Sequence, residues 1–163
     1  MRVGITGHSN LVSGCLPVVR RALRDALADP PTRELVGVSC LAPGADQVFA
    51  RVVLDLGGRL EAVLPASDYR SRLAPRHRAE FDSLVAAASS VRVLPFPRSE
   101  RRAYLAASKE MVSSVDRVLA VWDGQPASGT GGTADVVAHA RIRGVPVRVV
   151  WPAGATRDSA RSG

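Results

Sequence analysis

The chain has 163 residues, 46% of them hydrophobic, enough to bury one core without disulfides or a structural metal and too few for two ordinary domains. Its formal charge of +7, from 22 basic and 15 acidic residues, admits nucleic acid or small anions as partners. Against nucleic acid stands an aromatic content of 4%, too low for a platform on which single-stranded bases stack.

Nearly all the positive charge is arginine, with Lys109 the one lysine, and the abundance of Ala, Val and Gly fits a GC-rich bacterial genome as well as it fits a binding surface. Cys15 and Cys40 stand in apolar surroundings without C-x-x-C spacing, so both read as reduced thiols. His8, His77 and His139 are not at metal-ligand spacing and no metal is expected. The apolar start is too short for a signal peptide and no run reaches transmembrane length, which predicts a cytoplasmic protein with no membrane contact.

Residues 2–6 (RVGIT) predict a first strand ending at Gly7, and residues 16–28 predict a helix with Leu16, Val19, Leu23 and Leu27 on one face, closed by Pro30 and Pro31. A second apolar run at 35–41 ends at Pro43-Gly44, and a helix over about 45–57 carries Val48, Val52 and Leu56 and stops at Gly57-Gly58. Strand three is 60–64, ended by Pro65. The arginine-rich stretch from Ser67 to Arg78 reads as a loop entering a helix near 76–89. Residues 91–94 predict strand four, 100–114 a helix, 117–122 strand five, about 133–143 a helix and 145–151 strand six. Residues 153–163 are small and polar and read as a loosely held tail.

Strand alternating with helix in units of about thirty residues predicts one Rossmann-like α/β domain over residues 1–152, with three layers and a mainly parallel sheet of about six strands. Right-handed crossovers favour the order 4-3-2-1-5-6, with a switch point between strands one and five. Ligands of such sheets bind outside the carboxyl ends of the strands, near that point. Polar and glycine-rich residues collect there: Gly7, His8, Ser9 and Asn10 after strand one; Gly44, Ala45 and Asp46 after strand two; Asp123 after strand five.

Gly129-Thr130-Gly131-Gly132-Thr133 immediately precedes a helix and is the expected main phosphate-facing loop, because glycines let a phosphate approach free N–H groups at the positive end of a helix dipole. A flexible connector ending in an N-cap threonine is the plainer alternative. No Lys follows the glycines and no complete G-x-G-x-x-G is present, so neither ATPase chemistry nor ordinary NAD binding is expected. Asp46 and Asp135 lie in first helical turns, where an acid complements the dipole or reaches a ligand. Asp135 is a weak catalytic candidate, with Asp46 as the alternative acid and Lys109 as a weak basic substitute. Ser9 and Ser13 near His8 form no G-x-S-x-G elbow.

The segments GITGHSN, CLAPGAD, VLPASDY, SSVDRVLAVWDG and GTGGTADVVAHAR together resemble the SLOG superfamily over residues 2 to about 151. That group joins DNA-processing protein A, the Lonely Guy phosphoribohydrolases (often labelled lysine decarboxylases) and molybdenum-cofactor carriers. The resemblance implies a nucleotide or nucleotide-derived ligand across the loops of strands one, two and five, no further required cofactor, and a homodimer or larger homo-oligomer. It also implies a departure. Aligned on Gly132-Thr133, the glutamate of the Lonely Guy P-G-G-x-G-T-x-x-E motif falls at Val136, and the arginine of its R-K-x-x-M motif falls near Ala107, ahead of Met111. A sensor or carrier is therefore the first reading. Cleavage of an N-glycosidic bond in a nucleoside monophosphate is the second, and nucleic-acid binding through Arg70–Arg78 and Arg98–Arg102 the third.

Overall fold

The computed structural model describes residues 1–28, 34–126 and 132–158. Six strands form one sheet: β1 (Arg2–Gly7), β2 (Val36–Ser39), β3 (Arg59–Leu64), β4 (Ser90–Val93), β5 (Arg117–Val121) and β6 (Val147–Val149). Every pairing is parallel and the order is β4-β3-β2-β1-β5-β6, as the alternation of elements predicts. The helices are α1 (Leu16–Ala28), α2 (Ala45–Asp55), α3 (Tyr69–Arg72), α4 (Pro75–Ala87), α5 (Arg101–Ser113) and α6 (Thr133–Ile142). The four-residue α3 falls inside the arginine-rich stretch read as a loop; its inward residue is Tyr69, packed edge-on against Phe81 of α4.

The sheet is covered on both faces because its central strands are apolar on both. Val3 and Ile5 of β1, with Leu119 and Val121 of β5, meet Val19 and Leu23 of α1 and Phe49 of α2 in one buried cluster. Farther along this face, Leu60, Ala62 and Leu64 of β3 meet Phe81 and Leu84 of α4. On the opposite face, Val36, Val38 and Val118 meet Ala107, Met111 and Val112 of α5 and Val136 and Ala140 of α6. Removing each Leu or Phe from water contributes about 1.5–3 kcal/mol, so these layers hold the frame that the loops depend on. All four residues of β4 are exposed, unlike a two-faced core strand, because β4 is a sheet edge. Strand β6 spans Val147–Val149, shorter than the apolar run, and lies between Pro146 and Pro152.

Successive crossovers carry the chain from β1 outward to β4. The chain then returns through α5 to β5, on the other side of β1. The loops leaving β1 and β5 therefore start side by side at the carboxyl ends of the strands, where open parallel sheets seat their ligands.

Residues 152–158 fold back on the loop after β1. Val12 N–H donates to the Thr156 carbonyl at 3.0 Å, Asp158 N–H donates to the Asn10 carbonyl at 2.9 Å, and Leu11 and Arg157 form an antiparallel bridge.

Candidate functional site at the switch point

The backbone of His8 ties three loops together. Its N–H donates to the Val121 carbonyl at 3.1 Å, prolonging the β1–β5 ladder, and its carbonyl accepts from Ala45 N–H at 3.4 Å, at the start of α2. Such closeness constrains the neighbours. A Cβ on Gly44 would lie 2.7 Å from the His8 carbonyl oxygen, and Gly44 holds φ +81°, a left-handed conformation that glycine adopts without strain. A Cβ on Gly7 would lie 2.4 Å from that of Ala45. The two glycines are thus needed for the three loops to converge.

The side chains complete a polar cluster at this junction. His8 is 8% exposed; its Nε2 lies 3.2 Å from Asp123 Oδ1 and 3.3 Å from the Asp123 backbone nitrogen. Asp123 Oδ1 also accepts from Gln125 N–H at 3.0 Å, and Oδ2 accepts from Arg157 Nε at 2.6 Å. Trp151 stands edge-on to the His8 ring at 5.7 Å between centroids.

Burial, then the nearby Arg157 charge, push the imidazole pKa down against the pull of Asp123. Burial opposes ionisation of Asp123, but the Gln125 N–H and Arg157, with His8, outweigh it and hold the carboxyl below its ordinary range. At neutral pH the cluster is a neutral imidazole beside an ionised aspartate and an arginine. An unprotonated Nε2 accepts from the Asp123 N–H, whereas a protonated one donates to the carboxylate, so one proton decides which contact forms.

Asp46 takes a different position. It is 6% exposed in the first turn of α2 and its Oδ2 accepts from Ala42 N–H at 3.3 Å, closing the turn from Leu41 to Gly44. Burial pushes its carboxyl up to about 7, against the effect of the Ala42 N–H. Burial also raises the Cys40 thiol, and Asp46 adds to the rise. Leu41, in the same turn, is a non-glycine residue at φ +56°, so the conformation is held by its surroundings. Ser9 is exposed with its backbone against Gly44, while Asn10 Nδ2 donates to the Asp158 carbonyl at 2.6 Å.

Of the expected phosphate-facing loop, Gly129, Thr130 and Gly131 lie outside the described residues. Gly132 is the N-cap residue of α6, its carbonyl accepting from Asp135 and Val136 N–H at 3.0 and 3.3 Å, and Thr133, 8% exposed, is the first helical residue. Asp135 lies half-buried in that first turn. Gly7, His8, Gly44, Ala45 and Asp123 are therefore brought together, whereas the Asp46 carboxyl is turned to the Ala42 N–H. Arg157 and Trp151 were missed by sequence reading. Among the described residues, no group of three His, Cys, Asp or Glu side chains is placed to hold a metal, and no helix is long and apolar enough to cross a membrane.

No protein-family model and no curated protein matches the sequence. Solved structures do. DNA processing protein A of Streptococcus pneumoniae superposes with a TM-score of 0.66 at 18% identity, over 91% of this chain and 49% of that one. The Helicobacter pylori protein of the same name, described with a single-stranded DNA binding mode, gives 0.64 at 17%, over 91% and 64%. The chain shares the Rossmann-like α/β fold of these proteins. A third neighbour, the Moco carrier protein of Chlamydomonas rheinhardtii, gives 0.53 at 14%, over 91% and 74%. The chain thus spans about half to two thirds of the DNA processing proteins, and at these identities the likeness is one of fold.

Proposed function

We propose that this chain is a binding protein, a sensor or carrier, that takes a nucleotide or nucleotide-derived ligand in the crevice between the carboxyl ends of β1 and β5. The observation that carries the reading is the convergence of His8, Asp123, Gly7 and Gly44 at the switch point, where open parallel sheets seat their ligands. Gly132 and Thr133, opening α6 after β5, extend it toward the same end of the sheet.

Binding is favoured over N-glycosidic cleavage by what stands at the aligned Lonely Guy positions. Val136 and Ala107 are 5% and 1% exposed and belong to one apolar cluster between α5, α6 and the sheet. They supply core packing, so neither the acid nor the arginine of that chemistry stands at its aligned position. Nucleic acid is the second reading, favoured by the Helicobacter neighbour. The first arginine cluster gives it little: Arg70 pairs with Asp82, Arg72 with Asp68, and Arg78 donates to the Leu73 and Ser71 carbonyls. Arg98, Arg101 and Arg102, before and within the first turn of α5, are the better candidates, although Arg102 already stacks over Phe96.

Thermal unfolding with a panel of nucleoside mono-, di- and triphosphates beside their parent nucleosides tests the reading. A ligand about 100-fold above its Kd should raise Tm by roughly 5–10 °C. A folded protein unmoved by the whole panel overturns it. Release of free base from AMP would restore the enzymatic reading, and a binding constant for an oligonucleotide falling steeply with salt would favour the nucleic-acid one.

A further inference from the structure

Arg157 reaches the switch point from outside the alternating strands and helices. Both of its neighbours in the chain are pinned to the loop after β1. The Thr156 carbonyl accepts from Val12 N–H at 3.0 Å and from the Cys15 thiol at 3.3 Å. Asp158 exchanges two hydrogen bonds with Asn10, one from the Asp158 N–H at 2.9 Å and one to its carbonyl at 2.6 Å. The backbone that carries Arg157 is therefore fixed before any ligand arrives.

Its side chain is oriented as well. Asp123 Oδ2 grips the guanidinium through Nε at 2.6 Å. An arginine that served only to neutralise a carboxylate would do best through a two-pronged contact, in which two N–H groups meet both oxygens. Here the second oxygen is taken by the Gln125 N–H, with His8 Nε2 3.2 Å away. Among the described residues no partner holds Nη1 or Nη2, and a quarter of the Arg157 side chain is exposed. Asp123 thus fixes the guanidinium plane while leaving the fork formed by Nη1 and Nη2 for another acceptor. The neighbouring imidazole is neutral at pH 7 and so adds no competing cation.

We propose that Arg157 is an oxyanion-binding residue of the switch-point site, presenting its Nη fork to a phosphoryl group of the ligand. The proposal rests on the crevice being a ligand site, and it makes the C-terminal segment part of that site. The phosphoryl group can belong to a nucleotide or to free phosphate, and the two sources are separable.

The test follows the Arg157 Nε–H resonance by NMR in the full chain during titration with pyrophosphate, AMP and adenosine, with R157Q and R157K beside the wild type. Pyrophosphate should move that resonance saturably, R157Q should weaken pyrophosphate binding at least about tenfold, and R157K should lie between, since a lysine keeps the charge and loses the fork. Adenosine binding should be insensitive to either substitution. An unmoved Arg157 resonance, or a non-saturating drift shared with exposed Arg21, overturns the proposal. AMP binding with undiminished affinity in R157Q also overturns it while leaving the nucleotide reading intact. Pyrophosphate binding through Arg157 without binding of any nucleotide does the reverse. Should R157Q fail to fold, the wild-type resonance and R157K still decide.

Discussion

His8 and Asp123, 115 positions apart in the chain, meet across the switch point with Nε2 of one 3.2 Å from Oδ1 of the other. The contact is possible because β1 and β5 are adjacent only through the return crossover, which sets the two loop starts side by side. A histidine on one strand end and an aspartate on the other thereby become one polar unit, stabilised by Arg157 from a third direction.

The unit predicts opposite effects on the His8 titration. Asp123 raises the imidazole pKa and Arg157 lowers it, beneath a larger lowering by burial. Asp123→Asn should therefore move the His8 midpoint further down, and Arg157→Gln should move it up. Imidazole carbon–proton NMR spectra between pH 4 and 8 measure both, and shifts of the same sign in the two variants would contradict the arrangement.

Asp46 predicts a pH dependence of stability. Its carboxyl is raised to about 7 in the folded protein from an ordinary 3.8, so the folded state binds the proton more tightly than the unfolded chain. Its contribution is fully present below pH 3.8 and is lost as the pH rises to about 7, after which it is constant. The rise from 3.8 to about 7 sets an upper limit of about 4 kcal/mol. Asp46→Asn should remove this slope, gaining on the wild type between pH 5 and 8 in urea unfolding; parallel curves for the two proteins would show that Asp46 is not held protonated.

Gly44 should tolerate no side chain. Gly44→Ala places a Cβ 2.7 Å from the His8 carbonyl at a positive φ, so backbone must move. A loss of about 2 kcal/mol or more is expected from strain plus displacement of the loop after β1. Denaturant unfolding measures it, and a loss under about 0.5 kcal/mol would mean that the loops are not packed as described.

Restoring the Lonely Guy acid should not restore chemistry. Val136→Glu inserts a carboxylate among Ala107, Met111 and Val118, and a cost of about 3 kcal/mol or more is expected from the buried charge. Denaturant unfolding and an assay for free base released from AMP check both halves. A stable variant with phosphoribohydrolase activity would refute the view that this face is simply core.

The fold was legible because periodicity reports burial directly: the runs around Val3 and Val118 and the helical spacing of Val19 and Leu23 led to the right elements and the right strand order. The short helix at Tyr69–Arg72 escaped because a single turn has too few residues to show a period. Of the site, Gly7, His8, Gly44 and Asp123 were visible because they interrupt apolar strands at the end where ligands bind. Arg157 was not, since it lies in a polar segment whose pairing with Leu11 depends on contacts between chain ends and leaves no local pattern. Asp46 was visible as an acid at a helix start, but its burial and its bond to Ala42 follow from the left-handed turn at Leu41 and Gly44, which composition does not encode.

Binding of a nucleotide-type ligand at the switch point is tested by titration calorimetry of the nucleotide panel against wild type and a His8→Ala/Asp123→Asn double variant shown to be folded. Stoichiometric binding of at least one nucleotide to the wild type is expected, with a loss of at least about tenfold, or about 1.4 kcal/mol, in the double variant. No binding by folded wild type, or equal binding by both proteins, would contradict it.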